Sequence, residues 1–282
     1  MTTSSQEKPQ VGYELAYRIA CERLAGIASL EEQCRRSDSE CQLTGSHKLI
    51  TVEYLNRSYR VTLPPVEVRL KDSPEEVPLT DKILILHHLL HAQGTPLTGK
   101  LVSYKELPGG NTYFPNFSAR AIRPLVKYFG REPERLLEAA RELGGQQVEY
   151  GNVAVTVKGF RRVPITVVLW RGDDEFPPEG NFLFDRTAPD YLSTDDINVL
   201  CETIARRLRD WLASGEKRNE SALSFRRKPE SREDGFWILG SSPRMTEKVS
   251  FSYIVASLTR DMTDCFANAR NDIYLLDNYQ YC

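Results

Sequence analysis

The sequence lacks a C-x-x-C pair, a signal-peptide start and any apolar run near the roughly 20 residues that would span a bilayer. Its six cysteines, Cys21, Cys34, Cys41, Cys201, Cys265 and Cys282, are scattered, which removes the sequence signature of a zinc or iron–sulfur centre and reads as free thiols. It also lacks a charge bias: 37 basic residues against 39 acidic ones leave a net charge of -2, too little to draw the chain to nucleic acid or anionic lipid. Neither nucleic acid nor a membrane is therefore expected as partner, and the cytoplasm is the expected address. With 40% hydrophobic and 27% charged residues in 282, a globular body with a substantial core is expected.

The hydrophobic pattern places that body in residues 11–215, after a flexible stretch 1–10. Tyr13, Ala16, Tyr17, Ala20, Leu24 and Ile27 recur at helical spacing. Two β-rich runs, Lys48 to Tyr54 and Ser58 to Leu63, flank Asn56-Arg57 as a hairpin that Pro64-Pro65 stops. Thr80 and Asp81 open a helix whose body, Ile83 to Leu90, is apolar nearly all round and so belongs at the centre, ending by Gly94. Residues 95–117 read as an irregular Gly- and Pro-rich loop with one short extended piece. Short helices around Ser118–Pro124 and from Pro133 to Gly144 lead into strands at 147–150, 153–157 and 163–170, then a short strand at 181–185. Ser193 caps a final helix with an apolar stripe from Ile197 to Leu212, and Gly215 is its natural stop. The fold class is α+β, with an antiparallel sheet, a buried central helix and packing helices in a single domain.

Beyond residue 215 the period is lost. Arg227 to Arg232 and Phe236 to Glu247 resemble the translation of a dispersed intergenic repeat, which implies that residues 216–282 are a read-through tail with little structure.

Four features carry candidate chemistry. Gly94-Thr95-Pro96-Leu97-Thr98-Gly99-Lys100 has the spacing of a phosphate-binding loop, but Leu101 stands where Ser or Thr must ligate magnesium, and a helix precedes where a strand is needed. His87 and His91 lie one helical turn apart with His88 between them, a spacing two metal-ligating imidazoles would share; the helix has no Glu after the first His and no third ligand at a recognisable spacing, and packing histidines are the alternative. Gly172 to Glu179 places four carboxylates, Asp173, Asp174, Glu175 and Glu179, around Phe176 and two prolines directly after an apolar strand, a composition suited to a cation, a raised carboxyl pKa or a basic partner. Gly99, Lys100, Tyr104, Gly109, Gly110 and Tyr113 combine backbone freedom, a cation and aromatics in one long excursion suited to a flat or extended anionic ligand.

Read in order, Ile83 to Leu90, Pro96 to Gly99, Leu107 to Gly110, Arg162 to Ile165, Trp170 to Pro178 and Leu183 to Asp185 resemble the domain-of-unknown-function family numbered 3786, over residues 11–213. The family is known mainly from anaerobic bacteria and archaea, and the resemblance implies no activity, cofactor or catalytic residue. Some relatives carry a cysteine-rich segment and an iron–sulfur label; this chain lacks that segment.

Three functions stay open at this level: a cytoplasmic small-ligand or cofactor-binding accessory protein of anaerobic metabolism, whose two excursions enclose one site for an anionic or metal-containing ligand; a metal-dependent enzyme pairing Asp173, Asp174 or Glu175 with His88 or Lys100; or a docking subunit of a redox enzyme. An exposed apolar patch at Phe114 and Phe176 without an enclosed pocket would favour the last. No cofactor is named by the sequence.

Overall fold

The computed structural model describes residues 7–44 and 47–225. They lie in one compact unit, residues 1–228. The proposed read-through segment lies outside the described residues from position 226 on.

Helix α1 (Glu7–Ala25) and the short α2 (Leu30–Arg36) precede β1 (Glu40–Thr44), β2 (His47–Tyr54), β3 (Arg57–Leu63) and β4 (Glu67–Leu70). The β2–β3 turn is Leu55-Asn56, one residue earlier than its composition predicts, and both residues hold positive φ. This is the twist-matched conformation of a two-residue hairpin, and Asn tolerates it. Helix α3 (Leu79–His91) follows, capped at Pro78 rather than at Thr80, which sits inside the first turn. Then come β5 (Leu101–Ser103), α4 (Gly110–Phe117), α5 (Arg123–Phe129), α6 (Arg135–Arg141), β6 (Gln146–Val148), β7 (Val153–Phe160), β8 (Val163–Trp170), β9 (Glu179–Asp185) and α7 (Thr194–Phe225).

The nine strands of the described residues join one antiparallel sheet in the order β4-β3-β2-β7-β8-β9-β5, with β1 added to β2 and β6 to β7. The first block meets the second only at Tyr54 opposite Phe160, reinforced by Leu55 N–H donating to Gly159 O at 3.0 Å. The α+β class and the antiparallel sheet expected from the sequence are the ones present.

Helix α3 is buried on nearly every side, as its composition requires: Ile83, Leu84, Ile85, Leu86 and Leu89 are all in the core, with α1, α2 and α7 against it. Its buried polar members differ in how they are met: His88 keeps Nδ1 without a hydrogen-bond partner among the described residues, whereas Asp81 is fully bonded. Asp81 is fully buried, accepts from Arg207 Nη2 at 2.7 Å and from the Tyr54 hydroxyl at 3.2 Å, and so ties α3 to α7 and β2. A carboxylate in such a place is tolerable only when paired and bonded. Helix α7 buries Ile197, Leu200, Cys201, Ile204, Leu208 and Leu212, the expected stripe, and runs on through Gly215 to Phe225. A single glycine costs a helix only about 1 kcal/mol, too little to end one this long.

The expected loop at 95–117 is the main departure. After β5 the chain makes a 3-10 turn at Tyr104–Glu106 and enters α4, a π-helical turn (Ser118–Ile122) and α5 without a break. Two prolines, Pro115 and Pro124, made this stretch read as interrupted. The π turn accommodates the second: Arg123 N–H reaches back five residues to Ser118 O, and Pro124 follows at the start of α5, where a missing donor costs little.

Candidate functional site

Strand β9 has a strand neighbour along only part of one side, and the π turn and α5 pack near the rest. In an antiparallel strand a residue's N–H and C=O point to the same side, and neighbours alternate. Leu169 of β8 sends its carbonyl away from β9, to Asn152 N–H at 3.0 Å, so the Leu169–Gly180 pair is not hydrogen-bonded and the main-chain groups of Gly180 face away from β8. The same alternation turns Phe182 and Phe184 outward. Strand β5 pairs only with Leu183, Phe184 and Asp185, then leaves the sheet at Tyr104. No strand among the described residues pairs with Glu179 to Phe182 on that side. Phe182 N–H is taken by the Asn181 side chain at 2.9 Å, as befits a donor without a ladder partner.

Beside Gly180 lies a groove of about 500 Å³. One wall is Pro178, Glu179 and Gly180; the other is Phe114 from α4, Ser118 and Ile122 from the π turn, and Arg123, Val126 and Lys127 from α5. Gly180 has no room for a side chain on its inner face, where a Cβ would meet Val126 at 3.0 Å. The Lys105 ammonium stands 4.2 Å from the centre of the Phe114 ring, so a third cation joins Arg123 and Lys127 on the helical side.

At the head of β9 stands the acidic turn. The Asp173 carboxylate accepts from Glu175 N–H at 2.9 Å and Phe176 N–H at 2.7 Å, while Asp173 N–H donates to Phe176 O at 2.9 Å. Those backbone donors hold the Asp173 carboxyl below its usual range. A Cβ on Gly172 would stand 2.6 Å from Pro178 N, so the turn closes only with glycine there. Asp174 and Glu175 are left exposed, and Phe176 is 66% exposed, a high value for a phenyl ring.

The two sequence-predicted excursions therefore approach each other at one place, through Phe114 and Pro178–Gly180, but not through the residues predicted to bind. Tyr104 is fully buried, stacked on Phe117 with ring centres 3.9 Å apart, and its hydroxyl donates to Thr194 O at 3.3 Å. It is core. Gly109 takes positive φ to cap α4, with Tyr113 half-buried beyond it, and Gly110 is needed because a Cβ would fall 1.9 Å from Tyr104 O. Gly99 and Lys100 are elsewhere. Thr98 N–H and Gly99 N–H both point at the Asp185 carboxylate, which also accepts from the Thr98 hydroxyl and from Thr187 N–H and hydroxyl. The loop with phosphate-binding spelling wraps an anion of its own chain.

The pairing of Asp173, Asp174 or Glu175 with Lys100 or His88 is not realised. The Lys100 carbonyl accepts from Arg186 N–H just past the far end of β9, and Glu179 begins the near end, so seven strand steps, about 23 Å, separate them. His88 stacks on Phe160 at 3.9 Å, and Phe160 pairs with Val163 at the opposite end of β8 from Trp170. His88 Nε2 meets Ser37 O at 3.2 Å, and burial pushes its pKa down to about 4, so it is a neutral core residue. His87 turns instead to Asp196, and His91 packs 5.5 Å from His87. Among the described residues no group of three or more His, Cys, Asp or Glu side chains is placed to hold a metal ion.

Sequence reading missed Ser118, Ile122, Arg123, Val126 and Gly180. The only signal was the i, i+4 pairing of Ile122 with Val126 and of Arg123 with Lys127, which Pro124 obscured. A second groove of about 600 Å³ lies between Arg57, Leu143, Arg207 and Trp211, but its guanidinium groups are already engaged, Arg57 with Glu75 and Arg207 with Asp81.

A family profile described as "Domain of unknown function (DUF3786)" matches residues 30–207, which include every residue of the β9 groove. No curated protein and no solved structure matches the chain.

Proposed function

The chain belongs to the DUF3786 family, a domain family of unknown function, and we propose that its body is a binding module that holds a segment of a macromolecular partner in the β9 groove. The observation that carries this reading is an open groove whose helical wall is apolar at Phe114, Ile122 and Val126 and cationic at Arg123, with Phe176, 66% exposed, two residues before Pro178 of the facing wall. A small cofactor is normally buried over most of its surface in a concave pocket, and this groove is open along its length. Exposed apolar surface with an ordered polar rim is the mark of a docking face.

The same reading makes the protein an accessory or docking subunit and not the site of a reaction. The four described cysteines, Cys21, Cys34, Cys41 and Cys201, are free, which supports a reducing compartment and a cytoplasmic address. No helix among the described residues is long and apolar enough to cross a membrane.

Selection of the full chain against a random linear-peptide display library tests the proposal. Enriched peptides are expected to bind the wild type and to lose binding when Ser118→Trp fills the groove or Arg123→Glu reverses its rim, with melting temperatures unchanged. Enrichment of nothing, or only of peptides indifferent to both substitutions, refutes it.

A further inference from the structure

We infer that Cys34 and Cys41 form a two-thiol modification site, which a small hydroperoxide converts to an intrachain disulfide, with Cys41 oxidised first and Cys34 closing the bond.

This site shares no residue with the groove and is made by the turn between α2 and β1. Cys34 lies in the last turn of α2, and its carbonyl takes two donors, Ser39 N–H at 2.8 Å and the Ser37 hydroxyl at 3.1 Å. Asp38 reverses the chain with a φ of +54°, a conformation that Asp adopts more readily than most residues. Cys41 follows two residues after Ser39, in β1 opposite Ile50. The turn thereby brings the two thiols into hydrogen-bond contact. Sulfur atoms already in contact need little main-chain movement to join, and such movement is the usual obstacle to a new disulfide.

The two thiols are unequal, and this fixes the order of events. Cys34 is 2% exposed, whereas Cys41 is half-buried. Burial pushes the Cys34 thiol up to about 12, with Cys41 and Glu31 adding to it and Lys48 opposing. Cys34 therefore stays protonated and shielded, and an oxidant meets Cys41 first. The Cys41 thiolate attacks one peroxide oxygen, the O–O bond breaks, and the other oxygen departs with a proton as water or an alcohol, leaving a sulfenic acid. Cys34 Sγ then attacks Cys41 Sγ. The sulfur–oxygen bond breaks, and the hydroxyl leaves with the Cys34 proton as water. The two sulfurs together give up two electrons, and the peroxide takes them. In a reducing compartment such a disulfide is transient and is returned to the dithiol by a cellular thiol. The other two described cysteines are placed differently: Cys21 meets the Tyr17 hydroxyl, and Cys201 is fully buried in α7.

Peptide mapping of the full chain tests this. Trypsin cuts after Arg23, Arg35, Arg36 and Lys48, so Cys34 and Cys41 fall in separate peptides, 24–35 and 37–48. Chain treated with hydrogen peroxide, blocked at once with iodoacetamide and digested without reductant is expected to yield these two peptides joined, as the first disulfide to form. Dithiothreitol is expected to separate them. In Cys34→Ser, Cys41 is expected to accumulate as a sulfenic acid that dimedone traps. In Cys41→Ser, Cys34 is expected to stay reduced about tenfold longer than Cys41 does in the wild type. Peptides that never join, or Cys41 joined first to any other cysteine, overturn the site, and this reading needs no substitution. Oxidation of Cys34 as fast as Cys41, or no dimedone adduct on Cys41 in a folded Cys34→Ser chain, overturns the order.

Discussion

His87 Nδ1 lies 2.8 Å from Asp196 Oδ1, which fastens the end of α3 to the first turn of α7. The other carboxylate oxygen accepts from the Ser193 hydroxyl at 2.6 Å, and Asp196 N–H donates back to Ser193 Oγ at 3.1 Å, a reciprocal cap. Burial pushes the Asp196 carboxyl up, but the bonds from His87 and Ser193 outweigh it and hold it below the usual range. His87→Ala should cost about 1–2 kcal/mol in chemical denaturation and move the Asp196 titration upward in carboxyl-resolved NMR. An unchanged titration would show that the imidazole does not hold the carboxylate.

His88 sets a pH dependence of its own. Burial lowers its folded-state pKa to about 4, against about 6.5 in an unfolded chain, so the unfolded state binds more protons between these values. Stability should therefore be full above about pH 6.5 and fall progressively as the pH drops toward 4, by about 3 kcal/mol from this group alone. His88→Phe keeps the stack on Phe160 and removes the titration. Its urea midpoint is expected to vary less with pH over that range than the wild-type midpoint does.

Asp185 anchors the 95–100 loop through five donors from Thr98, Gly99 and Thr187, and these hold its carboxyl below the usual range despite its burial. Asp185→Ala would strand those donors and should cost about 3 kcal/mol. Because the folded pKa is depressed, the wild-type contribution is present above about pH 4 and lost as the pH falls below it. Inorganic phosphate is not expected to protect the wild-type loop in hydrogen exchange, since its donors are already spent.

Two glycines separate packing from conformation. Gly110→Ala places a Cβ 1.9 Å from Tyr104 O and should destabilise by more than about 3 kcal/mol. Gly99→Ala meets nothing within 4 Å and pays only for its φ of +70°, about 1 kcal/mol. Melting curves of the two variants should differ accordingly.

Phe176→Ser removes the most exposed ring near the groove. It should leave the melting temperature within about 1 °C of wild type, since surface changes of this kind fall within ±0.5 kcal/mol, while weakening groove-dependent peptides.

Pattern made α1, α3, α7 and the β2–β3 and β6–β7 hairpins legible, because α1 and α7 bury one stripe each, α3 is apolar nearly all round, and each hairpin sets turn residues between β-rich runs. It failed at 104–129. There the chain alternates short helical turns with Gly109-Gly110, Pro115 and Pro124, and the packing of Tyr104 on Phe117 decides the conformation. The same failure hid the helical wall of the groove. The acidic turn was legible as a feature but not as a partner of Lys100 or His88, since which end of a strand a loop occupies follows from sheet order, which composition does not encode.

The buried Asp81–Arg207 pair imposes an order on how the chain can be completed. The two residues are 126 positions apart, so during synthesis at about 5–20 residues per second the carboxylate waits on the order of ten seconds before its guanidinium leaves the ribosome. For that interval Asp81 keeps its hydration shell and α3 cannot seat in the core, however complete the β2–β3 hairpin is. A nascent chain stalled before position 207 should remain open to proteases across α3, and release of α7 is the event that closes the body.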